Sequence, residues 1–397
     1  MAYVTAGRPT LERRIVAALD ATPSRVPVIL GGCGSGRTRL LSGMADTIGH
    51  DRTQYVDIER AASTPEGLYA ALTRRSPYAV RGAAAADNIH NARGAFDALI
   101  AFLHTARAED GQAAVFLIDE ILELRMFESF PGLRGIVRET MDAIATSPNR
   151  FVLSTRYVTR AHRLLRDAPE RFDVVHVSPL TTNEVSETLS HFHLGRDDAE
   201  RSDMARMIHT LTDGRPSYVQ SVANVLAVMD GASRGDPVSA LAAALAVDGH
   251  LCLVCRFSFE LRLHRARGYS ALKAILHILA EDEPLTLTLI AQRLGRTPGS
   301  TKDYLTWLED VDLVGVRQKR YSFVDPMLRL WVRIHCQPAP PAQADLSREV
   351  QEYAVSRLSY LDTPPTVQAL TPEPPARPHQ ETVPDAEEKA WSIIEID

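Results

Sequence analysis

The chain has 397 residues, a formal net charge of −6, and a composition of 45% hydrophobic and 24% charged residues, enough to bury a full core spread over two or three domains. No apolar run reaches the length of a membrane-crossing helix and no charged-then-apolar signal opens the sequence, which predicts a cytoplasmic protein without membrane insertion. Four cysteines suit a reducing compartment; the one close pair, Cys252 and Cys255, lacks a second Cys or His couple and reads as buried helix residues rather than metal ligands.

In chain order, Leu11, Ile15, Val16 and Leu19 fall at helical spacing before a break at Asp20-Ala21-Thr22-Pro23-Ser24. Val26-Pro27-Val28-Ile29-Leu30 is a short buried strand. It runs into Gly31-Gly32-Cys33-Gly34-Ser35-Gly36-Arg37-Thr38, and a helix continues from Arg39. The strand, loop, helix order and the spacing fit the phosphate-cradling pattern G-x-x-x-x-G-K-[ST] at every point except Arg37, where lysine belongs. Backbone N–H groups along Gly31 to Gly36 and the helix start at Arg37, Thr38 and Arg39 would converge on one anion. Thr38 would offer its hydroxyl to Mg²⁺, so ATP and Mg²⁺ are the expected ligands. Arginine brings a planar fork where lysine brings a compact charge, which predicts slow turnover or binding without turnover.

Tyr55-Val56-Asp57-Ile58-Glu59 reads as the second strand. The alanine-rich stretch from Arg81 to Asn91 carries no assignment, and Asn91 to Ala108 reads as a helix. Ala113 to Glu120 is an apolar run ending in two acids, the form of a Walker B strand: Asp119 would hold Mg²⁺ through a water and Glu120 would orient and polarise the attacking water. The strand from Arg150 to Arg156 also turns polar at its carboxyl end. The ligand of an open parallel sheet sits at that edge, so Thr155 and Arg156 are placed to sense the γ-phosphate. A fourth strand, Asp173 to Val177, leads through Ser178-Pro179-Leu180 to a capped helix start at Thr181 to Glu184. This alternation predicts a doubly wound α/β fold, a P-loop parallel sheet, and the helices from Asn183 to Val228 should form a lid over it.

The P-loop, the acidic strand, Ser154-Thr155-Arg156 and Gly214-Arg215-Pro216 occur in an order that resembles the signal-transduction ATPases related to AAA+ proteins. Within them the likeness is to the archaeal-type ATPases, which carry a winged helix after the lid. The resemblance implies that Pro216 looks on to the adenine and that Arg156 contacts the phosphates. On the residues alone, Gly214-Arg215-Pro216 is a turn before a helix, and both readings stand.

The C-terminal third has its own pattern. Tyr269 to Ala280, Leu285 to Leu294 and Ser300 to Leu308 read as helices, and Leu313 to Val324 as a hairpin with the basic tip Arg317-Gln318-Lys319-Arg320. Together they predict a winged helix-turn-helix. Lys302 and Tyr304 would lie near the bases or phosphates of double-stranded DNA, with Arg317, Lys319 and Arg320 as a wing over its backbone. Nine Lys/Arg against eight Asp/Glu between Tyr269 and Cys336 is not the basic footprint of a strong DNA binder, so a protein-docking or autoinhibitory wing stands beside the DNA reading. Asp325 to Trp331 again resembles the archaeal-type ATPases. Residues 338–397 hold ten of the 24 prolines and four Lys/Arg against eleven Asp/Glu, and read as a disordered acidic tail with a short amphipathic helix from Asp345 to Leu361. Ala390 to Asp397 reads as a docking peptide for a protein partner or as a frayed end.

The expected layout is a nucleotide-binding core over residues 1–180, a helical lid over 181–267, the winged helix over 268–336 and the tail over 337–397. The function that follows is an ATP/ADP switch that moves the winged helix between partners. A DNA-binding regulator or mobile-element factor with a mainly structural P-loop fold, and an adaptor or defence ATPase that forms a homo-oligomer through an arginine supplied in trans (Arg134, Arg138, Arg160, Arg163 or Arg166), are the alternatives.

Overall fold

Alternating apolar residues on short strands point to opposite faces, so a sheet built from uniformly apolar strands must be covered on both sides. The computed structural model, which describes residues 8–359 apart from 62, 79–90, 231–235, 264–265, 267 and 338, meets that demand. Strands β1 (Val26–Leu30), β2 (Thr53–Asp57), β3 (Val115–Asp119), β4 (Arg150–Thr155) and β5 (Phe172–His176) form one parallel sheet in the order β2-β3-β4-β1-β5. Ile29, Val115, Leu117 and Val152 share one cluster with Ile15, Leu19, Leu40, Leu41 and Met44 of α1 (Pro9–Asp20) and α2 (Arg37–Ile48). The intervening residues Val28, Leu30, Phe116, Ile118, Phe151 and Leu153 face a larger cluster. Beyond β2 lie α3 (Ile58–Ala61) and α4 (Pro65–Arg74), then α5 (Ala92–Thr105), α6 (Ile136–Thr146) and α7 (Val158–Leu165). All five strands end at the same edge, the one from which the P-loop, Glu120 and Arg156 emerge.

A capping box between Thr181 and Glu184 starts α8 (Thr182–His191), as its S/T-x-x-E spacing dictates. With α9 (Asp198–Thr212), α10 (Pro216–Asp230), α11 (Pro237–Ala244) and α12 (His250–Leu263) it makes the helical layer after the sheet. Cys252 and Cys255 are buried in α12, and no metal-binding group of His, Cys, Asp and Glu occurs among the described residues. The same residues contain no helix long and apolar enough to cross a membrane.

The next elements are α13 (Tyr269–Glu281), β6 (Leu285–Thr286), α14 (Leu287–Leu294), α15 (Pro298–Asp310), β7 (Val314–Arg317), β8 (Arg320–Phe323) and α16 (Pro326–His335). Helix, short strand, two helices and a hairpin follow one another here, with the three strands antiparallel in the order β6-β8-β7. The sequence reading differs at Leu285 and Thr286, which leave the expected helix to pair with Tyr321 and Arg320, since the Thr286 side chain caps the helix start one residue later.

The expected tail also needs correction. Residues 343–358 form α17 (Gln343–Leu358), which buries Leu346, Val350 and Ala354. Their i, i+4 spacing makes the apolar stripe of the short helix expected from Asp345 to Leu361, which packs against the rest of the chain. The Tyr353 hydroxyl donates to the Leu211 carbonyl at 2.8 Å, Arg357 Nε donates to Thr210 at 2.8 Å, and the Arg357 guanidinium pairs with Asp213. The remainder of the expected tail, with Trp391, lies outside the described residues, as does most of the Arg81 to Asn91 stretch.

Candidate nucleotide site

Gly34 and Gly36 adopt φ of 77° and 90°, a left-handed backbone that other residues enter only at a cost. A Cβ on Gly34 would also run into the Ser217 hydroxyl of α10, so the loop and the lid approach here to backbone distance. Ser217 N–H donates to the Gly34 carbonyl at 3.2 Å. Gly36 caps α2 without any side-chain hydrogen bond, which leaves the first N–H groups of α2 to an anion. Beside the loop opens a cleft of about 460 Å³ lined by Gly34 to Arg39, Ser42, Pro216 and Ser217. A second cleft of about 200 Å³, which Arg8 and Glu12 of α1 also border, adjoins Ser35, Gly36, Arg39 and Pro216. The glycine loop, Thr38, Arg39 and Pro216 therefore meet at one concavity.

Cys33 turns the other way, toward α12. Burial alone would raise its thiol pKa; the Arg262 and Arg156 guanidiniums and the Ser258 hydroxyl outweigh it and bring the pKa below the ordinary value.

Arg37 does not extend into the cleft. Its guanidinium folds back into the loop, where Nη1 donates to the Gly31 carbonyl and, at 2.8 Å, to the Gly32 carbonyl, while Nη2 meets Glu120 Oε1 at 2.5 Å. Glu120, in left-handed backbone at φ 55°, is held on its other side by Arg156, whose Nε lies 3.1 Å from Oε1 and whose backbone N–H donates to Oε2 at 3.1 Å. Burial pushes this carboxyl up in pKa, but Arg37 and Arg156 prevail and hold it below the usual range. A carboxylate so paired is a weak proton acceptor. The Arg156 guanidinium has a second acid, Glu59, at the entry to α3.

Asp119 collects three hydroxyls: Thr38 Oγ1 donates at 2.7 Å, Tyr55 at 3.0 Å, and Ser154 to the other oxygen. A loop threonine and a strand-end carboxylate in contact are hard oxygen donors of the kind Mg²⁺ takes. Strand alternation turns Thr155 away from this cluster; its hydroxyl accepts the Tyr157 N–H at 3.2 Å, so Ser154 stands beside the acid instead. Pro216 lies 3.8 Å from the Cβ position of Gly36. Its neighbour Arg215 reaches the Cys33 carbonyl at 3.4 Å and Asp325 Oδ2 at 2.8 Å, and the Tyr218 hydroxyl donates to the same oxygen at 2.6 Å. Sequence reasoning missed Tyr55, Glu59, Ser154, Arg215, Arg262 and Asp325 as members of this neighbourhood. Arg215 and Asp325 sat inside recognised stretches; Glu59 closed a recognised strand.

The residues expected at DNA differ in their surroundings. Lys302 Nζ lies 2.9 Å from the Tyr321 hydroxyl and 3.3 Å from Glu309. Tyr304 packs on Gly268, with the Arg296 guanidinium 5.5 Å above its ring. Arg317, Lys319 and Arg320 are exposed at the hairpin, where Gln318 and Lys319, at φ 50° and 63°, make the tight turn.

No protein-family model matches the chain, and no curated protein does. Among solved structures, a Walker-type ATPase of Pyrococcus abyssi aligns over 83% of this chain and 96% of its own, with a TM-score of 0.60 and 17% identity. The fold is similar to that of this Walker-type ATPase. A signal-transduction ATPase of Pyrococcus horikoshii with a tetratricopeptide-repeat sensor aligns over 91% of this chain and 46% of its own (TM-score 0.38, 18% identity). The Orc1 protein of Aeropyrum pernix, solved in complex with DNA, aligns over 91% and 95% (TM-score 0.43, 14% identity). In the Walker-type fold the loop, Asp119 and Arg156 stand at the carboxyl edge of the sheet, where such folds bind their ligand.

Proposed function

We propose that the protein is an ATP-binding, slowly hydrolysing switch whose nucleotide state sets the position of its winged-helix region. The observation that carries this reading is Arg215, which reaches the phosphate loop through the Cys33 carbonyl and the C-terminal region through Asp325. A phosphate in the loop competes for that guanidinium, so occupancy and docking are linked. Thr38 and Asp119 would hold Mg²⁺, which when bound neutralises phosphate charge; Pro216 would border the base. Arg156 would turn from Glu120 and Glu59 toward the γ-phosphate, and Glu120 would orient water without readily taking its proton.

Slow chemistry is expected because Arg37 fills the loop that lysine would leave open and ties down Glu120. Fluorescent-nucleotide titration and a phosphate-release assay with Mg²⁺ test this: binding with fewer than about one turnover per second, raised by Arg37→Lys, supports it. Rapid hydrolysis lost in Glu120→Gln, or no nucleotide binding, sinks it. The partner side is read from the hairpin. Arg317, Lys319 and Arg320 make no ion pair with the described residues, which favours the phosphate backbone of duplex DNA over an acid-free protein surface.

A further inference from the structure

Helix α7 starts two residues after Arg156, and its N-cap residue, Tyr157, gives it no side-chain cap. The first N–H groups of a helix need acceptors from somewhere. Here they come from the C-terminal region. The Asp312 carboxylate accepts the Thr159 N–H at 3.1 and 3.3 Å and the Thr159 hydroxyl at 2.5 Å. Asp312 follows α15 in left-handed backbone, φ 54°, and its carbonyl accepts Arg262 Nη1 of α12 at 2.9 Å. One residue therefore joins core, lid and C-terminal region.

Its surroundings extend the contact. Arg163 pairs with Asp310 at 2.5 Å, and the Arg160 guanidinium lies 5.1 Å from the Tyr157 ring and 6.0 Å from Trp307 of α15. The acids at the end of α15 thus cover a basic helix, and the same contact holds α15 by its C-terminal turn. Arg156, at the other end of this path, is shared by Glu59 and Glu120. Arg156 stands directly before Tyr157, the N-cap of α7, so a ligand that draws its guanidinium away acts beside the backbone that begins this helix.

We propose that Asp312 is an autoinhibitory latch: it caps α7 to hold α15 against the core, and movement of Arg156 toward a nucleotide triphosphate releases it. This rests on the switch reading and names the route by which that switch acts. A side-chain cap on a helix start is worth about 1 kcal/mol and the partly buried pair beside it adds to this, a small enough sum for a bound triphosphate to overturn.

Hydrogen exchange of the full chain, followed by mass spectrometry over residues 157–163 and 310–313, tests the latch. In the wild type both segments exchange slowly, and a non-hydrolysable ATP analogue speeds them. Asp312→Ala exchanges about fivefold faster with no nucleotide present, the factor that a 1 kcal/mol cap corresponds to. Arg163→Asp opens the seam, and adding Asp310→Arg closes it again, which a merely misfolded variant would not do. Slow exchange retained in both Asp312→Ala and Arg163→Asp overturns the latch. So does an analogue that binds, by displacement of a fluorescent nucleotide, yet leaves both segments unchanged. If the analogue fails to bind, the switch reading falls, and the nucleotide-free variants still decide whether Asp312 holds the seam.

Discussion

Two groups of basic residues in this chain are handled in opposite ways. Arg37 and Arg156 are 7% and 5% exposed and share one buried carboxylate, Glu120. Arg317, Lys319 and Arg320 project from a hairpin turn with no ion pair to the described residues. A buried charge cannot stand without its partner, whereas an exposed one contributes a field that salt screens. The first group therefore ties stability to ligand state; the second is free to meet a partner and contributes almost nothing to folding.

The sharpest way to break this contrast is to remove Glu120. Glu120→Ala strands two buried guanidiniums with only Glu59 between them and should cost about 3–5 kcal/mol, read from the denaturant midpoint; a loss below about 1 kcal/mol would put these arginines in the solvated class. The pH dependence has a definite sign. Because the folded-state pKa of Glu120 is depressed, its contribution is complete above the unfolded carboxylate value of about 4.3 and fades as pH falls through the folded value. The advantage of wild type over Glu120→Gln should thus shrink on acidification below that value.

A smaller effect is expected at the loop backbone. Gly34→Ala adds a Cβ at positive φ and against Ser217, costing about 1–3 kcal/mol and weakening nucleotide binding at least about tenfold, since loop and lid must part. Gly299→Ala, in the first turn of α15 with open space around it, is the matching control and should be neutral or stabilising by up to about 1 kcal/mol. Equal losses at both positions would show that the loop conformation is not special.

The smallest effect on folding belongs to the hairpin. Arg317→Ala with Arg320→Ala should leave stability within about 0.5 kcal/mol while lowering the salt slope of duplex binding by about 2. Unchanged, salt-insensitive duplex binding would take the hairpin out of any backbone contact.

What the sequence revealed and what it hid follow from distance along the chain. The glycine loop, the acidic end of β3 and the order of strands and helices are local patterns, each read within about ten residues. Arg37 was visible as a mismatch, but its return to the Gly31 and Gly32 carbonyls was not. Pairings such as Glu59 with Arg156, Arg215 with Asp325 and Asp312 with Thr159 join residues around a hundred or more positions apart, and no spacing rule reaches that far. Lys302 and Tyr304, read from helical position, also meet Tyr321, Glu309 and Gly268 within the region, contacts that no spacing rule names. The stripe of α17 was partly legible, as a short helix inside what composition alone marked as tail.

That helix has a mechanical consequence. Tyr353 and Arg357 grip α9 at Thr210, Leu211 and Asp213, immediately before Gly214 and Arg215. Tension applied to the chain beyond residue 359 would load this joint first, before any contact of the hairpin or α15. A load on α17 would thus reach the segment that carries Gly214, Arg215 and Pro216.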